Sequence, residues 1–246
     1  MAETDPLKNI RVVLCETSHP GNIGAAARAM KTMGLSELHL VAPQRFPDPQ
    51  AQRRAARAAD ILEAARVHAT LDDALLGVAF AVACSARTRE MAVPATTARA
   101  AAARVIEVAH TQQAALVFGN ETYGLTTAQA NKCGLLAAIP AHPEYSSLNL
   151  GAAVQVFAYE LRMACDTAPP PAAERELASH EEVEGFYAHL ESSLAGTGFF
   201  DPEHPKKLMP RIRRLFARAG LERDEVNILR GILKALARPK DAPKRR

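Results

Sequence analysis

The chain has 246 residues, 48% of them hydrophobic and 23% charged, with a formal net charge of +3. This describes an ordinary globular protein with one large domain, or one domain and an appendage, and argues against a disordered or fibrous chain. Four scattered cysteines (Cys15, Cys84, Cys133, Cys165) form no CxxC pair and have no His at ligand spacing, so they read as reduced thiols, with no metal site expected. The opening segment MAETDPLKNIRVV has no basic region followed by an apolar core, so a cytoplasmic protein without a signal peptide is expected.

Through residue 165, short β-branched runs alternate with helical patterns. Expected strands are Ile10–Cys15, Leu38–Ala42, Val78–Cys84, Ala115–Phe118 and Leu135–Ile139. Expected helices are roughly Ile23–Met33, Gln50–Ala65, Thr97–His110, Thr126–Lys132 and Leu148–Ala164. Such alternation predicts an α/β domain over residues 1–166, with a mainly parallel sheet and helices on both faces. Residues 167–173 are Pro-rich and read as a stiff linker. Residues 174–246 read as a helical extension: an acidic helix to about Leu194, then a basic hairpin, Pro205–Ala219 and Glu222–Ala237, broken at Gly220. Its apolar stripes are Leu208, Ile212, Leu215, Phe216 and Ala219, and Leu229, Ile232, Leu233 and Leu236.

In parallel α/β sheets ligands bind beyond the carboxyl ends of the strands, so the loops there are the informative ones. The first, Glu16–Met30, turns at Pro20 and Gly21 into a small-residue helix carrying Arg28, with Asn22 as a candidate cap. Its G-x-x-G spacing matches neither the dinucleotide nor the P-loop fingerprint. The second places Arg87 and Arg89 just past Cys84, Ser85 and Ala86, where both guanidinium groups can face one phosphate. The third, Leu116–Thr126, frames Glu121 between Gly119 and Gly124, letting backbone approach a ligand closely and letting Glu121 order a neighbouring Arg or Asn.

The fourth segment, PEYSSLNLGAAVQVFAYEL (Pro143–Leu161), is the most informative. A polar turn with Ser146, Ser147 and Asn149 feeds a helix apolar on nearly every face, which calls for burial in a core or against another subunit. Gln155, Glu160 and Arg162 argue against a membrane span. Charge is uneven along the chain. Residues 1–166 balance, whereas residues 201–246 hold 14 basic and 6 acidic side chains, a net +8 suited to a polyanion.

Together, NIGAAAR (Asn22–Arg28), FGNETYGL (Phe118–Leu125) and IPAHPEYSSLNLGAAVQVFAYEL (Ile139–Leu161) resemble, in order and separation, the three motifs of the SPOUT superfamily of RNA methyltransferases, TrmH-like 2′-O branch. ETSHPGNIGAAARAMKTMGL, SARTRE, FYAHLE, RIRRLF and LNILRGIL extend the resemblance to TrmJ-type enzymes along nearly the whole chain. The resemblance implies a deep trefoil knot, a homodimer, S-adenosylmethionine as cofactor, and methylation of a ribose 2′-hydroxyl in tRNA at C or U in position 32 of the anticodon loop. It implies a cofactor pocket of Cys84, Ser85, Ala86, Gly119, Ile139, Ser146, Ser147 and Leu148.

The same resemblance points to Arg28 as the key residue at the ribose hydroxyl, contributed by its own subunit or across the dimer. A guanidinium is effectively always protonated, so it serves as an oxyanion and phosphate stabiliser rather than as a base. Ser147 and Asn149 orient the ribose, and Glu121 holds Arg28 or Asn149. Arg87 and Arg89 would grip the RNA backbone, and the extension serves RNA docking, through Lys206, Lys207, Arg211, Arg213, Arg214 and Arg218, or dimer bracing. The competing readings are a ribosomal RNA methyltransferase, a SPOUT-fold RNA-binding protein without catalysis, and a nucleotide-dependent enzyme of ordinary doubly wound topology.

Overall fold

The structure, a computed structural model, describes residues 5–86, 93–167 and 176–237. Arg87, Arg89 and most of the Pro-rich segment lie outside the described residues. A short 3-10 turn leads into β1 (Ile10–Cys15), and His19 then opens α1 (Pro20–Met33), its ring nitrogen accepting from the Gly21 amide at 3.2 Å. Pro20 supplies a ready-made first-turn φ, and Gly34, at φ +87°, closes the helix in the left-handed region. β2 (Glu37–Val41) follows.

The helix expected over Gln50–Ala65 is broken into α2 (Pro49–Ala55), a 3-10 turn and α3 (Ala59–Glu63), because Ala56 takes φ +51° and ends the first piece. Ile61 and Leu62 beyond the break still bury in the core. β3 (Arg66–His68) and α4 (Leu71–Leu75), capped reciprocally by Thr70 and Asp73, precede β4 (Val78–Cys84). Next come β5 (Ala95–Thr97), α5 (Ala98–Ala109), β6 (Gln113–Phe118), α6 (Thr127–Ala130), β7 (Leu135–Ala138) and α7 (Leu150–Thr167). β3 and β5 were not expected. At three residues each, on the sheet's two edges, they carry too little apolar pattern to be read.

All the strand pairings are parallel, in the order β3-β2-β1-β6-β4-β7-β5. Alternate residues feed two cores. Ile10, Val12 and Leu14 face α1, α5 and α7, while Val13, Cys15 and Val117 face α4 and α6. Leu14, Phe118, Cys84 and Ala137 stand in one register row, so the loops after β1, β6, β4 and β7 leave the sheet at one level.

Beyond the sheet, α8 (His180–Gly196), α9 (Leu208–Ala219) and α10 (Arg223–Leu236) enclose a separate core around Phe186, Tyr187, Met209 and Val226. Gly220, at φ +65°, makes the expected break. This unit is tied to the α/β body by Gln112, which exchanges two bonds with the Leu177 backbone (2.9 and 3.1 Å), and by Glu181 accepting from the Gly77 amide (3.1 Å). Asp72 adds contacts to His180 (3.1 Å) and Lys132, and a cavity of about 90 Å³ remains in the seam. The expected stripes are only partly covered, since Leu215, Ile232 and Leu236 are exposed. Two amphipathic helices packed on one side of α8 cannot bury both flanks of their apolar faces.

Candidate active site

The loops after β4, β6 and β7, with the head of α7, enclose a cleft of about 470 Å³. Its walls are Phe118, Ile139, Leu148, Leu150 and Phe157, and its polar rim includes Ser85, Asn120, Glu121, Ser146, Ser147 and Asn149. That mixture of an apolar body with a few convergent polar groups suits one small organic ligand. Cys84, Ser85, Ala86, Gly119, Ile139, Ser146, Ser147 and Leu148, taken from the motifs as one pocket, all line it. Gly119 is required by packing, because a Cβ there would stand 2.1 Å from the Gly124 carbonyl carbon. Burial raises the Cys84 thiol well above its ordinary pKa, so at neutral pH it is an uncharged wall and not a nucleophile.

Glu121 is the hub of the rim. One carboxylate oxygen accepts from the Ser18 amide (3.0 Å) and hydroxyl (2.9 Å), the other from the His19 amide (3.2 Å) and the Asn22 side chain (2.9 Å). Asn22 in turn accepts from Asn149 at 2.9 Å, and Asn149 accepts from the Gly151 amide at 3.0 Å, capping α7. Glu121 therefore holds Asn149 through Asn22 and does not touch Arg28. Burial pushes its carboxyl pKa up, but the bonds from Asn22, Ser18 and His19 outweigh it and leave the group below the ordinary carboxylate range.

A second brace runs the other way. Glu16, at φ +54°, accepts from Gln129 (2.9 Å) and Tyr123 through its carboxylate and from Asn120 (2.7 Å) through its carbonyl. Asn120 thus serves the loop's own architecture. Ser18, Glu16 and Asn22 as partners were not visible in the sequence. The polar run ETSH between a strand end and a helix start was the available signal.

A protein-family model for the SpoU rRNA methylase family matches residues 9–159, and one for the C-terminal domain of the tRNA methyltransferase TrmJ matches residues 181–245. This chain belongs to the SpoU methylase family. Among its relatives, a tRNA (cytidine/uridine-2′-O-)-methyltransferase TrmJ of Klebsiella pneumoniae is 48% identical, with 94% of this chain and 97% of that protein aligned. A tRNA (cytidine/uridine/adenosine-2′-O-)-methyltransferase TrmJ of Pseudomonas aeruginosa is also 48% identical, over 92% and 93%. The crystal structure of TrmJ from Z. mobilis ZM4 superposes with a TM-score of 0.82 at 32% identity, covering 93% and 99% of the two chains.

In this SpoU methylase Ser147, Asn149 and Glu121 line the cleft, but Arg28 does not. Arg28 is exposed on α1 and makes no hydrogen bond or ion pair among the described residues. Beside it, α7 is not buried all round: Leu150, Val154, Phe157, Ala158 and Leu161 pack inward, while Tyr159 (47% exposed), Met163 (44%) and Ala152 face out.

Of the expected RNA contacts in the extension, Arg211, Arg214 and Arg218 share one exposed face of α9, and Lys206 and Lys207 are exposed at its start. Arg213 is different. It pairs bidentately with Glu184 (2.5 and 2.8 Å) and lies 4.3 Å over the Tyr187 ring, so it braces α9 on α8 instead of presenting charge to a partner. Among the described residues no cluster of three or more His, Cys, Asp or Glu is placed to hold a metal, and no helix is long and apolar enough to cross a membrane.

Proposed function

We propose that this protein transfers the methyl group of S-adenosylmethionine to a ribose 2′-hydroxyl of tRNA, at C or U in position 32 of the anticodon loop, as a cytoplasmic homodimer. The observation that carries the reading is the cleft itself. In a chain similar from end to end to tRNA 2′-O-methyltransferases, all eight motif-derived pocket residues line one cavity, and Glu121, Asn22 and Asn149 tie its loops together. The cavity fits the cofactor chemically: at about 470 Å³ it is large enough for one small organic ligand, and its lining joins apolar walls to a few convergent polar groups.

S-adenosylmethionine supplies a methyl group already activated on a sulfonium. The chain's task is to seat the ribose in line, exclude water and stabilise the oxyanion that develops as the hydroxyl loses its proton to a phosphate oxygen or water. Ser147 and Asn149 orient the ribose at the head of α7. Arg28, with no hydrogen-bond or ion-pair partner among the described residues, stabilises the oxyanion in the partner subunit's cleft. The exposed apolar stripe of α7 beside it supports burial against a second copy.

The knot and the division into a methyltransferase domain (1–166), linker (167–173) and extension (174–246) belong to the same reading. Its support for the knot is the position of β7 between β4 and β5, a slot whose two walls precede it in the chain. The exposed basic face of α9, with Lys206 and Lys207, docks the tRNA backbone.

The test is methyl transfer from labelled S-adenosylmethionine to unmodified bulk tRNA, with nuclease digestion and mass mapping of the product. A ribose-methylated nucleotide at position 32 is expected. The family model's ribosomal RNA description motivates the second reading. Label entering ribosomal RNA and not tRNA would replace the first with it, and cofactor binding without transfer to either would point to a binding protein.

A further inference from the structure

The cleft and the extension leave one strongly charged surface unused. It lies where the loop after β2 and the helix α2 pack against the start of α1. Arg45, Arg53, Arg54 and Arg57 are all exposed there, and none has a hydrogen bond or ion pair among the described residues. Several arginines elsewhere are engaged, Arg11 with the Ala74 and Leu76 carbonyls, Arg99 with Glu160, Arg213 with Glu184 and Arg223 with Glu176 and Glu182, while the exposed Arg28, Arg211, Arg214 and Arg218 already belong to the functional reading above. The neighbouring acids do not neutralise the four. Asp48 is occupied capping α2 through the Gln50 amide (2.8 Å), and Asp60 is held by Lys31 (2.7 Å). Four permanent cations without internal partners make a surface for a polyanion.

Their position is tied to the site. Arg45 follows Gln44, whose amide donates to the Thr17 carbonyl at 3.1 Å, in the loop that Glu121 holds through Ser18 and His19. The Gln50 side chain lies 3.4 Å from the His19 ring. α2 sits so close on α1 that a Cβ on Gly24 would stand 2.1 Å from the Ala51 carbonyl oxygen and 2.9 Å from the Arg54 Cβ. Gly21, Gly24 and Arg28 follow one another at helical spacing, so Arg28 leaves α1 one turn beyond the α2 contact, on the same stripe. Arg28 and the α2 contact therefore share one stripe of α1, which sets the ridge beside Arg28.

We propose that Arg45, Arg53, Arg54 and Arg57 form a phosphate-binding ridge that grips the tRNA backbone beside the nucleotide being methylated. This rests on the functional reading above and adds to it a docking surface separate from the extension. The ridge is assigned to phosphate and not to bases because, among the described residues, none of the four stands beside an exposed aromatic platform.

The test compares the full-length wild type with R45Q/R53Q/R54Q/R57Q. The measurements are tRNA affinity between 50 and 200 mM salt, steady-state methyl transfer, S-adenosylmethionine calorimetry and thermal unfolding. Each lost phosphate contact removes about 0.7–0.9 from the slope of log affinity against log salt, so loss of all four should make the slope shallower by about three to three and a half. KM for tRNA should rise at least roughly tenfold at fixed salt, with kcat within about twofold and cofactor affinity unchanged. Should the quadruple variant fail to fold, R53Q/R57Q carries the same test with about half the slope change. Arg66→Gln, at the amino end of edge strand β3 and so at the opposite end of the sheet from the strand-end loops, is the control that should leave the salt slope unchanged. A wild type that methylates tRNA and a variant with the same affinity and slope would overturn the ridge alone. A wild type that neither binds nor methylates tRNA would overturn the functional reading and the ridge with it.

Discussion

Glu121 illustrates how a single side chain organises this site. Four donors from Ser18, His19 and Asn22 converge on it, and Glu121→Gln turns one acceptor into a donor facing them, at a cost of about 1–3 kcal/mol in stability. Because its folded-state pKa is depressed, the charged form contributes stability above its unfolded value, and that contribution is lost as pH falls through the folded value. Urea unfolding should show the full gap between wild type and Glu121→Gln at pH 7 and a shrinking gap below about pH 4.3. A gap independent of pH would remove the ionised carboxylate from the explanation.

Gly119→Ala should act differently. Its Cβ meets backbone at 2.1 Å and not a movable side chain, so the loop must shift. About 1–3 kcal/mol of stability should be lost, with cofactor affinity, read by calorimetry, falling at least roughly tenfold. Arg28→Ala removes an exposed, unpartnered group. The melting temperature and cofactor affinity should hold while turnover falls by about 10²–10³. Full turnover with normal tRNA binding would end its assignment.

Among the elements, α7 and the extension divide their work between interior and surface. α7 presents one face to α1 and α5 and leaves Tyr159 and Met163 outside. In the extension the bidentate Arg213–Glu184 pair pins α9 to α8, and truncating one partner strands the other beside Tyr187. Arg213→Ala should lower the unfolding free energy of α8–α10 by about 1–3 kcal/mol, measured by hydrogen exchange, and leave the salt slope of tRNA binding nearly unchanged. Removing Arg211, Arg214 and Arg218 together should do the reverse, making the slope shallower by about two to three with little effect on exchange. Identical behaviour of the two variants would mean that α9's charges are not sorted into bracing and docking groups.

For the whole molecule, the proposed role of Arg28, which lies outside its own cleft, would make a dimer a chemical requirement. Arg28→Ala mixed in equal amount with Ser147→Ala after subunit exchange should recover about a quarter of wild-type activity, since half the dimers then carry one intact composite site. No recovery from exchanged subunits would place Arg28 in cis. Tyr159→Arg should yield monomers by sedimentation, inactive even with cofactor bound.

The strand-end loops and their pocket were legible from residues 1–166, because a parallel sheet places its ligand loops at one edge and the motif residues sit at strand ends. Ser85, Gly119, Ile139 and Ser147, widely separated in the chain, do line one cleft. β3, β5 and the break at Ala56 were not legible, since three-residue edge strands and a single left-handed alanine leave no periodic trace. Residue types, local periodicity and helix caps are properties of neighbouring residues, and the sequence alone determined those. Which partner each polar group takes was decided by tertiary structure. Glu121 meets Ser18 across 103 positions, Arg213 meets Glu184 from a different helix, and Arg28 has no hydrogen-bond or ion-pair partner among the described residues. A charged side chain's role depends on what packing brings within hydrogen-bond distance, and only the folded sheet and helices set those distances.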